Sequence, residues 1–290
     1  MESRVVDWDT SRLGDLEALC ALALPDESLV ADDLELVARD GVVLGHDDGT
    51  AAILLTWDED DRAARLQLVA VHPSRRRRGL ARMLVHAGED WADDRGAVAV
   101  TVGGSGPLGL FRGVDTRWTE ALCLFESLDY LRGGPELDLV CPTMQRTRRV
   151  HPPGVSVVHV ESDSDVDALA RFSDSDVPDR CTRDAFSRAG GSGTALIAVD
   201  VRDGHVVGAL AHSVSRIGVL GPLLVTPAAR RHGIGAALLA TALADLSTAG
   251  LRTAEIRGSD ELGFFVGVAG ARVGRVSQQY RRELPRSPEG

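Results

Sequence analysis

The feature that most constrains this chain is an internal repeat. VHPSRRRRGLARMLV at residues 71–85 aligns without a gap on VTPAARRHGIGAALL at 225–239. The alignment pairs Val71 with Val225, Pro73 with Pro227, Arg76 with Arg230, Arg77 with Arg231, Gly79 with Gly233 and Leu84 with Leu238, at a constant offset of 154 residues. An offset near half of 290 residues points to two copies of one domain, each long enough to bury its own core. Each copy reads as an apolar strand (LQLVAV, 66–71; VLGPLLV, 219–225), a proline that ends it, two arginines, a glycine and a helix. The helices show apolar spacing at Leu80, Met83, Leu84, Ala87 and Trp91, and at Ile234, Leu238, Ala242 and Leu246.

Each repeated glycine sits where strand gives way to helix. Free backbone N–H groups and the positive end of the helix dipole can hold an anion there, and glycine lets the backbone approach it. Arg76 and Arg230, present in both copies, are the expected phosphate partners. Arg75 and Arg78 have no counterpart in the second copy and read as solvated loop charges.

Composition narrows the choice of anion. The net charge is −11, and the acidic excess lies in the first half, where residues 1–150 carry 17 Arg against 27 Asp plus Glu. Such a chain repels a nucleic-acid backbone, so the arginine run is an exception within a field of opposite sign. There is no lysine, which excludes a lysine-bearing phosphate loop and a lysine Schiff base. Cys20, Cys123, Cys141 and Cys181 are too scattered for a metal site or a disulfide framework. No apolar run approaches the ~20 residues of a membrane span, and MESRVVDWDTSRLG lacks the apolar core of a signal peptide. A cytoplasmic protein without membrane, nucleic-acid or metal partners is expected.

The two segments resemble motif A of the GNAT superfamily of acyl-CoA-dependent N-acyltransferases, with signature (Q/R)-x-x-G-x-(G/A). Arg76, Gly79 and Ala81 fill it in the first copy, and Arg230, Gly233 and Gly235 in the second. The resemblance spans both halves: helices first, then strands near 42–45, 51–57 and 65–71, and again near 194–200, 205–214 and 219–225. AVAVTV (97–102) and TAEIRG (253–258) follow the motifs. It implies an α/β (α+β) fold of two tandem GNAT-like domains, 1–148 and 153–290, each a mixed, centrally splayed sheet flanked by helices. PTMQRTRRVHPPG (142–154) would be the linker. It also implies acetyl-CoA or another acyl-CoA as cofactor. Pantetheine would lie along Val69, Ala70 and Val71, or along Leu223, Leu224 and Val225. Pyrophosphate would rest on Arg76, Arg77, Arg78, Gly79, Leu80 and Ala81, or on Arg230, Arg231, His232, Gly233, Ile234 and Gly235.

Two departures bear on catalysis. Gln67 and Gly221 stand where the family often has a carboxylate base, and neither accepts a proton at working pH. Phe125, and Phe265 or Val266, stand where the family has a tyrosine acid. Substitute groups are Glu255 on the strand after the second motif, His212 on the preceding hairpin, and Glu120 in DTRWTEALCLF, each with a structural role as the alternative. Trp118 is a candidate wall of an acceptor pocket, and the glycine-rich GGSGPLGLFRGVD (103–115) a candidate binding loop. Gly235 brings the second motif closer to the family ideal, which favours catalysis in the second half. The expected activity is acyl transfer from acyl-CoA to a primary amine of a small molecule. The acidic first half favours a cationic amine, such as an amino sugar or polyamine. An acyl-CoA-binding or scaffold protein that has lost its chemistry is the competing reading.

Overall fold

The computed structural model describes residues 4–39, 41–104, 106–144, 152–258 and 261–285. They form two compact units. Among the described residues, the first unit takes 4–39, 41–104, 109–136 and 276–285, and the second takes 106–108, 137–144, 152–258 and 261–275.

The first unit begins with β1 (Val5–Asp7), α1 (Leu13–Ala23) and α2 (Ala31–Ala38), then the antiparallel run β2 (Gly41–His46), β3 (Ala51–Asp58) and β4 (Ala63–Val71). After α3 (Leu80–Asp93), β5 (Ala99–Val102) pairs parallel to β4. The short β6 (Val114–Asp115) and α4 (Thr119–Glu126) follow, and then β7 (Leu131–Pro142). The second unit repeats this order: β8 (Val155–His159), α5 (Asp163–Asp176), α6 (Arg180–Ser192), β9 (Ala195–Asp200), β10 (Val206–His212), β11 (Val219–Val225), α7 (Ile234–Thr248), β12 (Thr253–Arg257), α8 (Leu262–Ala269) and β13 (Arg272–Glu283). Here β8 to β11 are antiparallel in sequence and β12 is parallel to β11.

The period-two alternation of the strands explains why helices cover both faces of each sheet. On β3, Ala51, Ile53 and Leu55 join the core under α3, while Ala52 and Leu54 join the core with α1 and α2. On β9, Leu196 and Ala198 pack with α7, and Ala195 and Ile197 with α5 and α6. Strands buried on both faces need near-continuous apolar runs, and AAILL and ALIAV supply them.

The last strand of each sheet is exchanged. The outer neighbour of β5 is the end of β13, with Tyr280 opposite Val102 and Glu283 opposite Ala99. The neighbour of β12 is the end of β7, with Cys141 opposite Ala254 and Asp138 opposite Arg257. The contiguous division at 1–148 and 153–290 therefore describes the repeat but not the compact units. A sequence repeat records ancestry, and strand pairing follows whichever edge is nearest. Of the expected linker 142–154, residues 145–151 lie outside the described residues.

Candidate active site

The site of the first unit begins where β4 and β5 part. Their pairing runs from Ala63 opposite Ala99 to Leu66 opposite Val102, and Gly103 N donates to Leu66 O at 2.8 Å. Beyond that point β4 stays paired with β3 through Ile53–Val69, Ala52–Ala70 and Ala51–Val71, while the chain after β5 turns into the glycine-rich loop. The parted strands open a cavity of about 740 Å³. Val69 and Val71 line it, whereas Ala70 points its methyl into the opposite core.

One end of the cavity is the first repeated loop. After the turn at Pro73–Arg75, Arg76 is extended, Arg77 has φ +61° and Gly79 has φ +80°, and α3 begins at Leu80. The second copy repeats this conformation with Arg231 at φ +66° and Gly233 at φ +83° before α7. An arginine in the left-handed region costs about 1–2 kcal/mol. Left-handed residues in a loop just ahead of a helix N-terminus are the backbone pattern of an anion nest. A Cβ added to Gly79 or Gly233 would meet nothing within 4 Å, so the space before each nest is open. Leu80 and Ala81 also line the first cavity, while Arg78 is exposed on the loop.

The repeated arginines do something the alignment did not suggest. Arg76 Nε donates to Val71 O at 3.3 Å and Arg230 Nε to Val225 O at 3.1 Å, stapling each loop to the last carbonyl of its strand. Arg76 also donates to Ala23 O at 2.8 Å. Their repeated role is to hold the nest in shape. Arg75, expected to be a solvated charge, is half-buried, lines the cavity and is held by Asp48 at 2.8 Å.

The other end of the cavity is closed by the glycine-rich loop. Gln67 is buried with both ends of its amide engaged: Nε2 donates to Thr56 Oγ1 at 2.8 Å, and Oε1 accepts from Leu110 N at 3.1 Å. It anchors the loop 103–113 to the sheet, a role its residue type alone did not reveal. Gly104 and Gly109 press together there, and a Cβ on Gly104 would lie 2.4 Å from Gly109 Cα. Phe111 then stands edge-on to Trp118, with centroids 5.4 Å apart, and both line the cavity. Glu120, in the first turn of α4, is exposed and also lines it.

Phe125 occupies the expected tyrosine position, deeply buried yet part of the cavity wall. Two tyrosine rings stand behind it, Tyr130 at 5.3 Å and Tyr280 at 5.7 Å. Their hydroxyls are engaged elsewhere: that of Tyr130 donates to Glu89 at 2.9 Å, and that of Tyr280 bonds Glu126 at 3.3 Å. Burial, reinforced by the Glu89 charge, pushes the Tyr130 hydroxyl far up.

The second unit has the same splay with different contents. β11 pairs β12 at Val219–Glu255 and Leu220–Ile256, after which Leu223, Leu224 and Val225 stay on β10. The Phe264 ring rests on the start of α7, 3.3 Å from where a Gly235 Cβ would stand and beside Val225. In the first unit the residue before the buried phenylalanine is Leu124, which lines the open cavity together with Ala81. The extra glycine of the second motif thus makes room for a phenylalanine of its own chain. His232 makes a 3.4 Å contact to Ala229 O within the loop, and Ile234 is buried.

The substitute bases of the second half are committed to other partners. Glu255 pairs with Arg257 at 3.1 Å and Arg216 at 4.0 Å. Burial pushes its carboxyl up, but Arg257, Arg216 and Arg275 together hold it below the ordinary glutamate value. His212 Nδ1 lies 3.2 Å from Ser213 Oγ, and burial pushes the imidazole below its usual range against the pull of Asp245. Glu120 is thus the one proposed carboxylate that the structure brings to the described cavity.

Comparison with known proteins bears on the family and the fold. The Acetyltransferase (GNAT) family matches residues 9–105 and 159–261, one segment per repeat. The fold is similar to that of the tandem GNAT protein from the clavulanic acid biosynthesis pathway, with 16% identity, TM-score 0.74 and 100% of each chain covered. It is also similar to a GCN5-related N-acetyltransferase from Sphaerobacter thermophilus, with 19% identity and TM-score 0.70, covering 97% of this chain and 95% of that one. A glucosamine N-acetyltransferase region of a fungal multi-domain β-N-acetylglucosaminidase matches with 16% identity and TM-score 0.76, over 97% of this chain and 38% of that one. No curated protein matches. At these identities the structural likeness speaks for the fold alone, whereas the family match spans more than half of the sequence. The chain belongs to the GNAT acetyltransferase family, in which acyl groups are transferred from acyl-CoA.

Proposed function

We propose that the first unit is the working centre, and that it binds acetyl-CoA and transfers the acetyl group to a primary amine of a small molecule. The observation that carries this reading is the open cavity along the free edge of β4, which ends in the nest at Arg76–Ala81. On that side β4 has no β5 partner along Val69–Val71, the Val71 carbonyl being taken by Arg76, and the nest offers N–H groups to a pyrophosphate. Acetyl-CoA would supply a thioester carbonyl activated toward a neutral amine.

The residues on the page then limit how protons move. Gln67 has both amide ends occupied and takes no proton; Phe125 has none to give. An amine that enters as the ammonium must therefore give one proton to water before its lone pair attacks the carbonyl carbon; the C–S bond then breaks, CoA leaves as the thiolate, and the second N–H proton passes through water to it. Holding amine and thioester together in one cavity supplies much of the acceleration by proximity.

The same two residues favour a second reading, a non-catalytic acyl-CoA-binding protein. Calorimetric titration of acetyl-CoA separates the possibilities. Gly79→Glu, which places a carboxylate in the nest, is expected to abolish binding. Gly233→Glu, in the unit where Phe264 already covers Gly235, is expected to leave it unchanged. The reverse pattern would move the working centre to the second unit. Binding by the wild type without thiol release for any primary amine would favour the non-catalytic reading.

A further inference from the structure

We infer that the cavity of the first unit accepts a singly charged primary amine carried on an aromatic or branched apolar group, with Trp118 and Phe111 as specificity-determining walls and Glu120 receiving the ammonium. This rests on the first unit being the transfer centre.

The cavity has two chemically different ends, and α4 spans the distance between them. At its C-terminal end, Ser127 is tied to Arg82 in the first turn of α3, with Arg82 donating to Ser127 Oγ at 3.0 Å and to its carbonyl at 3.4 Å. That end lies beside the nest. Trp118, nine residues earlier, is therefore about 13 Å away along the helix axis. Trp118 stands at this far end against Phe111, near the point where β4 and β5 part, and Glu120, two residues on, also lines the cavity.

The far end is apolar and rigidly built. Leu66, Val102 and Val114 contribute aliphatic surface beside the Phe111–Trp118 pair. Phe111 is buried and its carbonyl accepts from Gly104 N at 2.6 Å, while the neighbouring Leu110 is held by Gln67. Trp118 N donates to Asp115 O at 2.9 Å, and Asp115 is itself buried and paired with Arg117. The indole is half-buried, so part of it faces the cavity. An aromatic surface held open toward solvent is covered most favourably by another apolar or aromatic group, and its face also attracts a cation.

Charge separates this amine class from the polyamines and amino sugars that the acidic first half suggested. Among the described residues lining the cavity, Arg75, Arg76, Arg77 and Arg82 stand against one carboxylate, Glu120. One ammonium finds a partner, and a second does not. An amino sugar would bring several hydroxyls against aliphatic and aromatic walls that cannot hydrogen-bond them.

The test combines acetyl-CoA titration with thiol-release kinetics for 2-phenylethylamine, 3-methylbutylamine, glucosamine and spermidine. The inference expects kcat/KM at least about tenfold higher for the first two amines. It expects Trp118→Ala to lower kcat/KM for 2-phenylethylamine about tenfold through KM, with acetyl-CoA affinity unchanged, and Trp118→Phe to restore most of it. Trp118→Phe also serves as the informative variant if Trp118→Ala does not fold, since it must then keep the preference. Preference for spermidine or glucosamine overturns the inference and leaves acyl transfer standing. An equal effect of Trp118→Ala on all four amines also overturns it. So does acetyl-CoA binding without turnover of 2-phenylethylamine. Absence of acetyl-CoA binding by the folded wild type removes the transfer centre itself, which is a different failure.

Discussion

Arg76 and Arg230 show how far one residue's role can be read from a string. The repeat marks them as shared, and shared cations before a helix suggest phosphate. Their hydrogen bonds to Val71 O and Val225 O instead make them staples of the loop, a role that depends on a carbonyl five residues back in the chain. Asp138 makes a related point about charge. It is nearly inaccessible, and its carboxyl is pushed up to about 6 by burial and by Glu255, against the opposing pull of Arg257, the Gly258 N–H and Arg275. The folded state therefore binds this proton more tightly than the unfolded one, and stability is lost as the pH rises from about 4 to about 6. In Asp138→Asn that loss disappears, so the stability difference, variant minus wild type, should climb by roughly 3 kcal/mol across the window. Denaturant melts at pH 4, 5, 6 and 7 measure it, and a flat difference would show that Asp138 is ionised in the native state throughout.

Among the secondary-structure elements, the strands and motif helices were the most legible. The expected strands at 51–57 and 65–71 correspond to Ala51–Asp58 and Ala63–Val71, because apolar runs between turn residues leave little choice of conformation. The fit between elements was not legible. Gly88 looks like an ordinary helix glycine in LARMLVHAGEDWAD, yet a Cβ there would lie 2.9 Å from Ile53 Cδ1 and 3.0 Å from Leu55 Cδ2. It is where α3 packs directly onto β3. Gly88→Val should therefore cost about 1–3 kcal/mol despite better helix propensity, seen as a lower denaturant midpoint at unchanged slope. No loss would mean that α3 shifts to accommodate the branch. The Phe264 ring over Gly235 is the same kind of fact: the sequence shows a helix rich in phenylalanine, and only packing shows which ring covers the motif.

For the whole molecule, the exchange of final strands makes each unit depend on a distant stretch of chain. The first unit uses 280–283 to pair with β5, 277–278 to pair with β6, and Tyr280 to back Phe125, a wall of its cavity. A chain ending at Arg275 should therefore lose acetyl-CoA binding and the calorimetric transition of the first unit. The second unit keeps 137–144 beside β12 and should retain its own transition. Survival of acetyl-CoA binding in that shortened chain would show that β5 can close its edge without β13.

By itself, the sequence determined that this protein is a duplicated α/β chain with two strand–loop–helix motifs, each with a glycine just before the helix. Local rules decide those features: apolar periodicity, proline at a strand end, and glycine where φ must be positive. Tertiary structure alone decided which nest faces an open cavity, which arginines are staples, where Gln67 holds the glycine-rich loop, and which distant strand completes each sheet. The staples rest on a carbonyl five residues back and the other outcomes on contacts between residues tens to nearly two hundred positions apart, and their geometry exists only once the chain has packed.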